Sequence, residues 1–207
     1  MSESTRFRSA LLLGAPGAGK GTQGKVLGAI PGILHLSSGD MFRGLDPQSE
    51  LGRIFREISS RGDLVPDDLT IRLWRQHVDG LVASGKHRPA TDLLLLDGIP
   101  RNVNQAALLD AHIEVLQVIH LNCRDESAVI SRLKKRALKE GRSDDAREEV
   151  IQRRLEVYRE ETQPLLDHYG LALVSDVDAI GLPVEVLRGV LDSLAPVMRR
   201  HFGNALD

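Results

Sequence analysis

The sequence predicts a doubly wound α/β fold, a parallel sheet with helices on both faces. Three observations predict it. Five short apolar runs, Ser9–Leu13, Ile33–Leu36, Leu93–Leu96, Val115–Leu121 and Leu171–Val174, lack the polar alternation of half-exposed strands, as strands covered on both faces require. Between them lie longer segments whose apolar residues recur every three or four positions, the period of a helix. Directly after the first run comes a glycine-rich turn, and then a helical segment, the order that places a ligand beyond the carboxyl end of a strand. The 207 residues are 42% apolar and 27% charged, which suffices for one substantial domain and excludes disorder as the main state.

Taken in order, residues 1–7 read as a short disordered lead before the first strand. The turn Gly14–Thr22, GAPGAGKGT, follows that strand. Its glycines and proline shape a loop whose backbone N–H groups converge on phosphate oxygens. The next helix adds its free N–H groups and positive dipole end. Lys20 puts a cation on the β and γ phosphates. This is a P-loop, with one departure: the residue after Lys20 is Gly21, and the hydroxyl comes one place later at Thr22. A direct threonine bond to magnesium is therefore not expected, and the ion is held mainly through nucleotide oxygens and water.

The second strand runs into SSGDMFR, residues 37–43, where Asp40 is placed to start a helix and Arg43 follows on its first turn. The third runs into DGIPRNVNQ, residues 97–105. Asp97 stands where α/β nucleotide enzymes place a carboxylate for magnesium or its waters, and Gly98 and Pro100 turn the chain so that Arg101 lies beside the phosphate loop. Each feature alone also reads as a capped helix or a strand-ending turn. Together, two arginines at neighbouring strand ends imply a second phosphorylated substrate, because the guanidinium fork binds phosphate oxygens in pairs. Trp74, in a helix over 69–78, reads as packing. Further on, RLKKR places Arg132 and Arg136 four apart on one helix face, while Lys134 and Lys135 read as solvent-facing. Ile151, Leu155, Tyr158, Thr162, Leu165 and Tyr169 draw one stripe along a single predicted helix, and Pro183 opens the last helix.

Several classes are excluded. A net charge of −2, four Phe, two Tyr and one Trp offer neither a basic face nor aromatic platforms for nucleic acid. No apolar run approaches a membrane span, and three leucines after a mixed-charge start are too few for a signal peptide. The one cysteine, Cys123, permits no internal disulfide and no cysteine-rich zinc module, and fits a reducing compartment. No two of the seven histidines stand at metal-ligand spacing. A soluble cytoplasmic protein is expected.

GAPGAGKGTQ, SSGDMFR, GDLVPDD, DGIPRNVNQ and RSDD, followed by RRLEVYREETQPL, are similar in order and spacing to the adenylate kinase family, from Leu11 to about Leu194. The resemblance implies a five-stranded parallel core (8–36, 67–135 and 146–201) with two mobile parts. These are a monophosphate-binding segment over 37–66 and a lid over 136–145, here the short form without zinc. It implies magnesium-dependent transfer of the ATP γ-phosphoryl group to AMP, giving two ADP, by a monomer that maintains adenine nucleotides. Gly17, Ala18, Gly19, Lys20, Gly21, Thr22, Arg132 and Arg136 would hold ATP. Ser38, Arg43, Asp63, Leu64, Val65, Gly98, Ile99, Pro100, Arg101, Gln105, Arg142 and Arg154 would hold AMP. Lys20, Arg101, Arg136, Arg142 and Arg154 would serve the transfer, with magnesium near Asp97 through water. Ser38 stands where the family often has Thr, and Ile99 where it often has Phe. One extra residue, placed at Arg147, leaves Arg153 as the alternative to Arg154. Gln105 matches an adenine edge, while Asn102 is a feature of pyrimidine monophosphate kinases, the rival substrate reading. A nucleotide-binding module without transfer activity is the rival of another class.

Overall fold

The structure is a computed structural model that describes residues 6–141 and 147–206. Five parallel strands, β1 (Phe7–Gly14), β2 (Ile33–Ser37), β3 (Leu93–Asp97), β4 (Ile113–Asn122) and β5 (Val174–Asp178), form one sheet in the order β2-β3-β1-β4-β5. The helices are α1 (Lys20–Leu27), α2 (Ser38–Arg43), α3 (Glu50–Arg61), α4 (Asp67–Ala83), α5 (Val103–Leu109), α6 (Glu126–Glu140), α7 (Glu148–Val157), α8 (Leu165–Tyr169) and α9 (Pro183–His201). A π turn over Tyr158–Thr162 joins α7 to α8.

Central strands show why continuous apolar runs fold this way. In β3, Leu94 and Leu96 face a core with Trp74 and Val78 of α4, Ala106 of α5 and Leu165 of α8. Leu93 and Leu95 face the other side, with Leu27 of α1 and Val186, Val190 and Leu194 of α9. Both sides are covered, so a polar residue at either parity would be buried without water. A third cluster joins Val129 and Leu133 of α6 to Ile151 and Leu155 of α7, over the carboxyl ends of the strands. The sheet changes direction between β1 and β3, where a doubly wound sheet opens its crevice.

Four expectations are corrected. Phe7 is no part of a disordered lead: it starts β1 and is 5% exposed. The fifth strand lies at Val174–Asp178, and Leu171, expected within it, is 96% exposed. β5 is an edge strand: Val174 meets the core on one side of the sheet and Val177 the core on the other, while Asp176 and Asp178 are exposed, so the strand is not continuously apolar. The single helix over 151–169 is three pieces, α7, the π turn and α8, and Pro164 before α8 gives the chain no N–H. Finally, Ser37, not Asp40, caps α2: its hydroxyl accepts from the Asp40 N–H at 3.2 Å.

Candidate functional site

A cleft of about 630 Å³ opens at the carboxyl ends of β1, β2 and β3, within the size range of small-molecule sites. Its floor is the phosphate loop. Gly14 closes β1 where a Cβ would stand 2.6 Å from the Leu121 carbonyl, and Gly19, the N-cap of α1, sits at φ +100, a conformation that favours glycine. Gly17, Ala18, Gly19, Lys20, Gly21 and Thr22 all line the cleft. The Lys20 ammonium donates to the carbonyls of Gly14 at 2.6 Å and Ala15 at 3.1 Å. Burial pushes its pKa down to about 8; Asp97 opposes the shift, while Arg101, Arg136 and Arg154 add to it. Four cations therefore share one electrostatic neighbourhood with the carboxylate of Asp97.

That carboxylate, Asp97, ends β3 in register with Leu12 of β1 and Ser37 of β2, and is 7% exposed. His35 approaches it at 3.7 Å, packed so closely on α1 that a Cβ at Gly24 would meet its ring. Among the described residues no three His, Cys, Asp or Glu side chains cluster as a metal cage. A buried carboxylate beside a phosphate cradle fits magnesium that arrives on a nucleotide and keeps most of its waters.

The turn after Asp97 is fixed from several sides. Its Ile99–Pro100 bond is cis. The Ser38 hydroxyl donates to the Gly98 carbonyl at 2.7 Å, and the Arg101 Nε donates to the same oxygen at 2.9 Å. The Thr162 hydroxyl donates to the Arg101 carbonyl at 2.7 Å, so the π turn anchors this arginine. Gly98, Pro100 and Arg101 line the cleft. Ile99 does not; its side chain is fully buried in the core that holds Trp74.

On the far wall stand Ser38, Arg43, Asp63, Leu64, Val65 and Gln105. Arg43 pairs with Asp40 at 2.6 Å. The Gln105 carboxamide accepts from the Arg101 N–H at 2.8 Å and donates to Asp67 at 2.8 Å. Asn102 caps α5 by accepting from the Gln105 N–H at 2.7 Å, and its Nδ2 donates to Asp67. That residue, the one pyrimidine-like feature of the segment, is spent on capping and on Asp67.

Arg132 and Arg136 of α6 form the third wall, where Arg132 also donates to the Ala179 carbonyl at 3.0 Å. Lys134 pairs with Glu148 away from the cleft, whereas Lys135, expected to face solvent only, is exposed on the rim. Arg154 of α7 lines the cleft. Arg153, next to it, does not line the cleft and bridges Asp63 at 3.1 Å and Glu156 at 2.7 Å. Arg142 lies outside the described residues.

Sequence reasoning missed several wall residues. Phe42 and Phe55 stack with centroids 5.2 Å apart and planes 9° from parallel. Gln23 donates to the Pro183 carbonyl at 3.0 Å. Tyr158 meets His120 Nε2 at 3.0 Å, while His120 Nδ1 donates to Asp176 at 2.5 Å. Burial, with the Asp176 charge, pushes the Tyr158 hydroxyl up to about 12. These three hydrogen-bonded residues lie on separate elements, and their spacing along the chain gives no signal.

Comparison with known proteins agrees with the geometry. The sequence profile described as adenylate kinase matches residues 12–173. Among curated relatives, an adenylate kinase of Nocardia farcinica is 40% identical over 189 residues, covering 89% of this chain and 97% of the relative. One from Thermus thermophilus is 39% identical, covering 86% and 92%. One from Streptomyces avermitilis is 35% identical, covering 89% and 96%.

Proposed function

The chain belongs to the adenylate kinase family, and from that premise we propose that it transfers the γ-phosphoryl group of ATP reversibly to AMP, giving two ADP. The observation that carries this reading is the gathering of Lys20, Arg101, Arg136 and Arg154 around the phosphate loop, in one cleft with Arg43 and Gln105.

An AMP phosphate oxygen attacks the γ-phosphorus in line; the new O–P bond forms as the bond from γ-phosphorus to the β-bridging oxygen breaks, and ADP leaves from each side. The attacking phosphate is already an anion at neutral pH, so no general base is needed. The protein supplies position and charge. Backbone N–H groups of Gly17 to Thr22 and the start of α1 hold the donor phosphates. Lys20 and Arg136 sit on the donor side. Arg101 and Arg154 reach the transferring group, with Arg142 assigned to it by its place in the motif. Arg43 and Arg101 hold the acceptor phosphate. Asp97 would hold magnesium through water, and the ion when bound offsets charge on the nucleotide phosphates. Closure of the 37–66 segment and the lid over the cleft would exclude water and limit ATP hydrolysis. We place this activity in a cytoplasmic monomer that balances adenine nucleotides.

The test is product formation from ATP–Mg with AMP, CMP, UMP and GMP in parallel, with Lys20→Ala as control. Conversion of AMP that is lost in the control supports the reading. Preference for CMP or UMP would keep the chemistry and overturn the acceptor, and no transfer at all would leave a binding module.

A further inference from the structure

We infer that Asp67 is a positioning residue that fixes which end of the Gln105 carboxamide meets the acceptor base, and so sets selection of adenine over 6-oxopurines. The inference rests on the AMP reading above and adds a residue that does not itself line the cleft.

The argument is one of donors and acceptors. A carboxamide has an oxygen that accepts twice and a nitrogen that donates twice, and the two ends are nearly identical in shape. Left alone, it can turn over and suit either of two bases. Adenine offers an amino donor beside the N1 acceptor, whereas guanine and hypoxanthine offer a carbonyl acceptor beside an N1–H donor. A carboxamide free to turn reads both; one held in a single orientation reads one.

Here the orientation is held from both ends. The Arg101 N–H can only donate, and it donates to Gln105 Oε1 at 2.8 Å. The Asp67 carboxylate can only accept, and it accepts from Gln105 Nε2 at 2.8 Å. Turning the group over would set its oxygen against a carboxylate oxygen and its NH₂ against an N–H. Gln105 is 1% exposed, so water cannot relieve either clash. One acceptor site on Oε1 and one hydrogen on Nε2 remain, the pair that adenine matches.

Asp67 is itself held in place. It is the first residue of α4, and it also accepts from Asn104 Nδ2 at 2.7 Å and from Asn102 Nδ2 at 3.2 Å. Three carboxamides thus converge on one carboxylate. It does not line the cleft, and it reaches the cleft wall through Gln105.

The experiment measures kcat/KM for AMP, GMP and IMP with ATP–Mg, and KM for ATP, in wild type, Asp67→Asn and Asp67→Ala. Asp67→Asn is isosteric, and its own amide can turn to donate to an inverted Gln105, so half of the lock opens. The expected result is a fall of about tenfold or more in the AMP:GMP and AMP:IMP ratios, with KM for ATP unchanged. A loss of folded protein would lower all three rates together and leave the ratios alone. In ¹⁵N-labelled protein the Gln105 carboxamide protons should exchange slowly in wild type and faster in Asp67→Asn. Ratios equal to wild type in both variants would overturn the inference. A wild type with no preference for AMP would instead sink the functional reading, and this inference with it.

Discussion

Lys20 keeps its proton at a cost until a phosphate arrives. Its ammonium is held by two backbone carbonyls, and burial brings its pKa from 10.5 down to about 8. Phosphate oxygens stabilise the charged form, so above about pH 8 nucleotide binding must draw a proton from solvent. ATP affinity is therefore expected to weaken as pH rises past about 8. Calorimetry in buffers of different ionisation heat should show proton uptake at about pH 8.5, absent in Lys20→Met. His87 makes the opposite kind of statement, about stability. Its side chain is fully buried beside Phe7, and neither ring nitrogen has a hydrogen-bond partner. Burial lowers its pKa from 6.5, against the pull of Asp92. The unfolded chain therefore takes up the proton first, and stability falls as pH drops below about 6.5 toward the folded value. Tm of wild type should drop more steeply with acidification than Tm of His87→Phe.

At the scale of elements, the run from α7 through the π turn to α8 decides which arginine lines the cleft. Arg154 lines the cleft, and Arg153, which does not, pairs with Asp63 and Glu156. Arg154→Ala is expected to lower kcat by about 100-fold or more, and Arg153→Ala to leave it within a few-fold of wild type. The reverse pattern in steady-state kinetics would assign the role to Arg153. The stripe from Ile151 to Tyr169 was legible because the apolar positions persist; the break was not, because a π turn shifts the phase without changing residue type. β5 was misplaced for a related reason. Its two valines, Val174 and Val177, face opposite sides of the sheet beside exposed aspartates, and edge position is a property of the assembled sheet. In contrast, β3 could hardly be misread: Leu93 to Leu96 are all fully buried. Leu95→Ala there is expected to cost about 2–5 kcal/mol in denaturant unfolding.

Over the whole molecule, the cleft depends on segments far apart in the chain being held together. The end of α3 is tied to α7 by Arg147 donating to the Ser60 carbonyl at 2.8 Å and by the Arg153–Asp63 pair. The described residues offer no metal cage of their own. Chelation of magnesium is therefore expected to stop transfer while leaving Tm where it was, which activity and thermal-unfolding assays on one preparation can check. An accompanying fall in Tm would point to a structural ion.

By itself, the sequence determined the phosphate loop, the buried strands and the cations that follow them, because each rests on local chemistry: glycine where φ is positive, apolar runs where both faces are covered, arginine at strand ends. Only the tertiary structure decided that Ile99 turns into the core, that Asn102 caps a helix, that Asp67 orients Gln105, and that His120 joins Asp176 to Tyr158. Those facts are pairings between elements. Hydrogen-bond partners are selected by direction and distance across the packed layers, and one-dimensional spacing carries neither.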